Sequence, residues 1–420
     1  MNQEIKKRIE DINNGIVPEG YKQTPFGIFP CDWETDKLGN LGHFKNGINK
    51  DKDKFGYGVP IIGLMDVFGV NYIDSTSKSD FVDATIEEQE DYSVKKGDVL
   101  FVRSSVKPSG VGLTAVATTD FEGVVFSGFL LRYRTNSFTT DFKRYVFNSS
   151  YFRNNVIAAS TVSANTNVNQ ENLNRLSIVY PVYDKEQSKI AEILMKWDEM
   201  VELQEQYIQK LELRKKSYID KFFTEKSYNC VFKDLYIQAG EGGTPDTKKV
   251  EYYENGNIPF VKIEHLYKKC IEEIDSFITE EGLKKSGAWL VPENSLIFSN
   301  GATIGECSIN RIPVTTKQGI LGIVPSGIIE LEYFYYLLKS EYFLKKAKKI
   351  TTKGTMCTAY LKDIDKLKLY THSKVEQSAI SKLLGKVDEE ISLQKEKLEK
   401  IKIQRKAMQQ YLLTGIVRVG

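Results

Sequence analysis

Residues 186–224, EQSKIAEILMKWDEMVELQEQYIQKLELRKKSYIDKFFT, and residues 376–414, EQSAISKLLGKVDEEISLQKEKLEKIKIQRKAMQQYLLT, align without a gap at an offset of 190. Glu186, Gln187, Ser188, Ile190, Leu194, Lys196, Asp198, Glu199, Leu203, Gln204 and Lys216 all recur as identities. An internal repeat constrains architecture more than any local motif, so it is read first. Two unrelated amphipathic helices would not share Glu-Gln-Ser at one end and a Thr at the other.

Neither segment contains Pro, and Glu, Lys, Gln and Leu dominate both. Those residues lose little rotamer freedom in a helix, so each segment predicts one long helix. Apolar side chains recur at 3-4 spacing, as Ile190, Leu194, Trp197, Val201, Ile208 and Leu211 in the first copy and Ile380, Leu384, Val387, Ile391, Leu398 and Ile401 in the second. That is a heptad seam of roughly 50 Å at about 1.5 Å per residue. Polar residues interrupt it at equivalent places: Gln204 and Lys215, then Gln394 and Arg405. A parallel pair would set Lys215 on Arg405, which like charge disfavours. An antiparallel pair about a pseudo-two-fold is expected, with Gln204 opposite Arg405, Lys215 opposite Gln394, Ile208 on Ile401 and Leu211 on Leu398.

The stretches before the helices echo each other more weakly. Leu38-Gly-Asn-Leu41 answers Phe232-Lys-Asp-Leu235, Val59-Pro-Ile-Ile-Gly-Leu64 answers Ile258-Pro-Phe-Val-Lys-Ile263, and Gly97-Asp-Val-Leu-Phe-Val102 answers Asn294-Ser-Leu-Ile-Phe298. Short β-branched and aromatic runs broken by Gly and Asn predict twisted sheet with surface loops. Segments near 141–157 and 330–348 predict helices. The fold class is α+β: two tandem α/β heads separated by two long helices that pair as an antiparallel coiled coil. The divisions are a polar segment at 1–19, a first head at 20–185, a first helix at 186–230, a second head at 231–375 and a second helix at 376–420.

Composition narrows the function. Charged residues make up 27% and hydrophobic ones 41%, so ordinary cores can form. A formal charge of +2 excludes a bulk-basic nucleic-acid coat but allows a local basic face. There is no apolar run long enough for a membrane span, and the first fifteen residues carry no secretory-type apolar segment, so a cytoplasmic protein is expected. Five scattered cysteines suit a reducing compartment and suggest neither a disulfide framework nor a zinc site. His43, His265 and His372 have no metal-ligand spacing, and no Walker-type phosphate loop, dinucleotide fingerprint, nucleophile elbow or Pro-Pro-aromatic methyltransferase signature occurs. A self-contained enzyme is disfavoured, and the chain itself is expected to bind no cofactor and hold no metal.

Two diverged heads on a rigid spacer suit a target with two separated, unlike parts. Duplex DNA has that form, with half-sites ~34 Å apart per helical turn. Candidate contacts in the first head are Lys45, Lys50, Lys52 and Lys54 in KNGINKDKDKFGYG, Arg103, Ser104, Ser105 and Lys107 in RSSVKPSGVG, and Asn165, Asn167 and Asn169 in the amide-rich loop. In the second head they are Lys248, Lys249, Asn300, Lys317, Gln318, Lys353 and Thr355. Arg can fork onto guanine and Asn or Gln onto adenine, while Lys mainly holds phosphate. Solvated polar loops are the plainer reading of any one of these residues.

Residues 28–33, IFPCDW, the Glu-Gln-Ser helix starts at 186 and 376, and the ending Leu412-Leu-Thr-Gly-Ile-Val-Arg-Val419 carry a family resemblance. The chain resembles the specificity subunit of a Type I restriction–modification system over about residues 20–420. The resemblance implies that each head is a target recognition domain for one half of a bipartite DNA site. It implies that the helices are spacers that set the separation and dock modification subunits, two of them. It further implies adenine-N6 methylation with S-adenosylmethionine, and motor-nuclease subunits using ATP and Mg²⁺, on other chains. A methylation-only system without a working nuclease partner is the alternative within the family. A self-contained methyltransferase or nuclease, and a coiled-coil adaptor that binds no DNA, are the alternatives outside it. The family does not fix which residues read bases.

Overall fold

The repeat in the sequence is a repeat in space. The structure, a computed structural model, describes residues 3–76, 79–162, 165–301, 303–351 and 358–419. It divides into two compact units, residues 1–204 with 397–420, and residues 205–396. Each unit therefore holds one head and part of both long helices, Asp184–Phe222 and Lys374–Leu413.

The first head is built on a five-stranded sheet ordered Gly42–Asn46, Leu130–Thr135, Val99–Val102, Thr114–Ala117 and Tyr72–Ile73. The second has the order Tyr236–Glu241, Ile320–Pro325, Ser295–Ser299, Cys307–Asn310 and Cys270–Ile271. In both, every pair is antiparallel except the last, which is parallel. The central strands read VLFV and SLIFS because they are covered on both faces. Val99 and Phe101 enter one core and Leu100 and Val102 the other. Leu296 and Phe298 are likewise separated from Ile297. A three-stranded sheet accompanies each, centred on Phe55–Ile62 and on Ile258–Val261.

Paired short helices follow the sheet in each head, Thr140–Val146 with Ser150–Ala158 and Leu331–Lys339 with Glu341–Lys349, as the sequence predicts near 141–157 and 330–348. The segment before Tyr21, expected only to be polar, forms a helix over Gln3–Asn13. Arg8 holds that helix to the C-terminal segment through the Ile416 carbonyl at 3.0 Å. No helix among the described residues is long and apolar enough to cross a membrane.

The recurring glutamine of the Glu-Gln-Ser repeat does the same work twice. Gln187 is fully buried; its Oε1 accepts the Thr139 N–H at 2.8 Å, and its Nε2 donates to the carbonyls of Pro181 at 2.9 Å and Ser137 at 3.4 Å. Gln377 accepts the Glu330 N–H at 2.8 Å and donates to His372 at 2.9 Å and Ile328 at 3.3 Å. Thr139 and Glu330 are the N-cap residues of the first short helix in each head. One amide side chain thus satisfies an orphan helix donor and two loop carbonyls that would otherwise be buried unpaired.

The long helices run antiparallel, as expected, but in a different register. In the first unit Arg405 Nε donates to Asp198 at 2.5 Å, where Gln204 was the expected partner. In the second unit Lys215 pairs with Asp388 at 2.5 Å, where Gln394 was expected, and Leu211 packs with Val387 and Ile391. The seam is shifted by nearly a heptad. The reason is chemical: a seam cation gains more from a carboxylate, through a charge-assisted hydrogen bond, than from a neutral amide.

Candidate nucleic-acid interface

The candidate loops of the first head converge at one end of its five-stranded sheet. The chain leaves Gly42–Asn46 into Gly47 and Ile48, leaves Val99–Val102 into Arg103, and enters Leu130–Thr135 from Ser127–Phe129. Backbone bonds tie these ends together: Gly47 N–H to Leu130 O, Gly128 N–H to Ile48 O, and Arg103 N–H to Phe129 O. The amide-rich loop joins them, because Val168 N–H donates to Arg103 O at 3.0 Å. Ser104 and Ser105 then pair with Asn167 and Thr166 in a small sheet. Two stretches some sixty residues apart, RSSVK and the Asn-rich loop, become one surface.

The second head repeats three of these four junction bonds; at the fourth, Gln318 N–H turns to the Thr244 hydroxyl instead of a backbone carbonyl. Gly242 N–H donates to Ile320 O, Asn300 N–H to Gly319 O, and Ala359 N–H to Asn300 O at 2.9 Å. Glycine is required where backbone meets backbone at this junction in both heads. A Cβ on Gly47 would lie 2.1 Å from Ser127 O, and one on Gly242 would lie 2.0 Å from Thr316 O. The scaffold is shared, but the side chains set on it differ: Arg103 against Asn300, Gly128 against Gln318, Ser127 against Lys317.

Several candidate lysines are already neutralised. Lys45 pairs with Asp91 and lies 4.8 Å from the Tyr92 ring centroid. Lys50 binds Glu88 at 2.6 Å, and Lys54 binds Asp83 at 3.2 Å. Donating to the Asp83 carboxylate raises the Lys54 pKa, and accepting from Lys50 lowers the Glu88 pKa. Lys52 and Lys107 are exposed and form no ion pair among the described residues. Arg103 is half-buried, with Nη1 3.4 Å from the Gly128 carbonyl oxygen. Asn165 is exposed, and its carbonyl accepts from the Asn167 amide at 2.9 Å. Asn169 caps the helix Gln170–Arg175 by accepting the Asn172 N–H at 2.8 Å.

In the second head, Lys248, Lys317 and Gln318 are exposed, and Gln318 N–H donates to Thr244 Oγ1 at 3.3 Å. Lys249 Nζ donates to the Tyr252 hydroxyl at 3.1 Å. Asn300 is buried, and its amide donates to Ala359 O at 3.1 Å. Lys353 and Thr355 lie outside the described residues. Phe129, 63% exposed at the centre of the first junction, was not singled out from the sequence. Its signal was a Gly-Phe pair at the entry of a buried strand. Among the described residues no cluster of His, Cys, Asp or Glu could hold a metal ion.

The family model described as the Type I restriction modification DNA specificity domain matches residues 30–213 and again 233–403. The MjaIX specificity subunit of a Type I restriction enzyme from Methanocaldococcus jannaschii is 28% identical over 373 residues, covering 82% of this chain and 84% of its own. The putative MjaX specificity subunit from the same organism is 25% identical, covering 96% and 97%. Among solved structures, a chain from work on complex assembly and conformational transition of the type I R-M system superposes with a TM-score of 0.64 at 14% identity, over 93% of this chain and 99% of that one. The S subunit from M. genitalium gives 0.50 at 16% identity, over 90% and 96%, which shows likeness of fold. With the family model matched once on each of two equivalent heads, the chain belongs to the Type I restriction–modification DNA specificity family.

Proposed function

We propose that this chain is the non-catalytic DNA-reading subunit of a Type I complex, each head reading one half of a bipartite duplex site. The observation that carries the proposal is the twice-built loop junction, which shares three backbone bonds between the heads and carries different side chains. A shared scaffold with exchanged side chains is what two different short sequences require. Arg103, Asn165 and Gln318 are the base-reading candidates. Lys52, Lys107, Lys248 and Lys317, exposed and cationic, suit phosphate contacts. Lys45, Lys50 and Lys54 then act by shaping the loop through their carboxylate partners.

The long helices, 39 and 40 residues or roughly 60 Å each, set the separation of the half-sites and dock two modification subunits. Adenine methylation with S-adenosylmethionine, and ATP- and Mg²⁺-dependent motor-nuclease activity, belong to partner chains in a cytoplasmic complex. Sequencing the modified adenines of a host carrying this subunit with its modification partner tests the reading. A single motif of two defined parts around an undefined gap is expected. A continuous motif, or none, overturns it.

A further inference from the structure

Besides apolar packing on the long helices, through Ile190, Leu194 and Leu412 in the first unit and Ile219, Ile380 and Leu384 in the second, each head has two polar attachments to them that recur in both units. The first point is the glutamine at the N-cap of the short helix, Gln187 at Thr139 and Gln377 at Glu330. The second lies six residues further along each short helix. Tyr145 donates its hydroxyl to Asp198 Oδ2 at 2.7 Å, and Tyr336 donates to Asp388 Oδ2 at 2.5 Å. The other oxygen of each carboxylate is held by a cation from the opposite long helix, Arg405 for Asp198 and Lys215 for Asp388. Lys269 adds a contact of 3.2 Å to Asp388 and donates to the Tyr336 hydroxyl at 2.8 Å.

Apolar packing is non-directional and by itself tolerates small rotations of a head. Two points about 9 Å apart along a helix fix a direction as well as a position. The carboxylate joins three elements at once, the head helix and both long helices, so a head cannot turn without breaking a charge-assisted bond. Burial of the tyrosines and the adjacent carboxylate raise the pKa of both hydroxyls, which therefore stay protonated as donors.

The geometry points to Tyr145–Asp198–Arg405 and Tyr336–Asp388–Lys215 as positioning triads that fix the angle of each recognition head and thereby the half-site separation that the complex accepts. This rests on the bipartite reading proposed above. One added base pair moves a half-site by ~3.4 Å and rotates it by about 35°, so an angular constraint on a head is a constraint on separation.

The test is the full chain in complex with its modification subunits, wild type and Tyr145→Phe/Tyr336→Phe, methylating duplexes whose half-sites are one or two base pairs closer or further apart. Phe keeps the ring and removes only the donor. The wild type is expected to prefer one separation by at least about tenfold, and the double variant to act within about threefold across neighbouring separations, with each half-site sequence unchanged. Asp388→Asn, which retains an acceptor for Tyr336, is expected to broaden the profile less. A double variant as selective for separation as the wild type overturns the triad assignment, whether or not its thermal stability has fallen. A wild type that recognises no bipartite site overturns the reading beneath it instead.

Discussion

The side-chain oxygen of Gln187 holds the N–H of Thr139 at 2.8 Å, 48 residues away along the chain. The same amide donates to Pro181 and Ser137, and Gln377 repeats all three bonds in the second unit. Gln187→Ala strands one donor and two acceptors in the interior, and a loss of ~2–3 kcal/mol is expected. Gln187→Glu keeps the acceptor for Thr139 but turns a carboxylate oxygen onto two carbonyls, so it should destabilise at least as much. Urea unfolding of both variants checks the order; a Glu variant as stable as wild type would contradict the assigned amide orientation.

Arg103 and Lys52 are expected to fail differently. Arg103→Ala removes a half-buried fork at the centre of the junction and should relax preference at one or two base pairs by ~1–3 kcal/mol. Lys52→Ala removes an exposed cation and should weaken all sequences alike, lowering the salt slope by about one. Titrations of the complex on cognate and single-mismatch duplexes at several salt concentrations separate the two. Unchanged mismatch penalties in Arg103→Ala would make the RSSVK loop a backbone clamp.

Lys143 is buried, donates to Gly97 O at 2.8 Å and Thr135 O at 2.6 Å, and burial pushes its pKa down to about 8 from 10.5. Between those two values the unfolded chain binds the proton that the folded chain has released, so this residue makes stability rise with pH there. The full effect is at most about 3 kcal/mol. Lys143→Met abolishes it. The stability difference between wild type and variant, followed by urea unfolding, should therefore move in favour of wild type from pH 8 to 10.5. A constant difference would mean the amine titrates alike in both states.

The ruler role proposed for the helices carries a register condition. Seventeen residues separate Asp198 from Lys215 and also Asp388 from Arg405. Deleting 201–207 alone leaves the two ion pairs out of step and should abolish activity. Deleting 201–207 together with 391–397 keeps both spacings equal and shortens the pair by ~10 Å, about three base pairs. Methylation of duplexes with shortened gaps checks this; activity of the double deletion at the original gap would contradict it.

Much of this was legible in the sequence. The repeat gave the two heads, and helix propensity and seam periodicity, being local, gave the long helices; their antiparallel sense followed from keeping Lys215 off Arg405. The register was not legible. Asp198 and Asp388 are identities of the repeat, but so are Glu186 and Glu199 with their counterparts, and a tyrosine from each head is what marks the two aspartates as the partners of Arg405 and Lys215. The ion pairs of Lys50 and Lys54 were equally hidden, since Glu88 and Asp83 come close only when the strand Phe55–Ile62 pairs with Asp80–Val82. Asn300 reads as a loop residue because it follows an apolar strand, yet it is the buried bracket that holds Ala359.

The central claim is that the two heads read DNA independently. Replacing residues 231–370 by the second head of a related subunit, then sequencing the modified adenines, tests it most directly. One half of the motif should change to that of the donor while the other half stays as it was. Two altered halves, or an unaltered motif, would contradict the account.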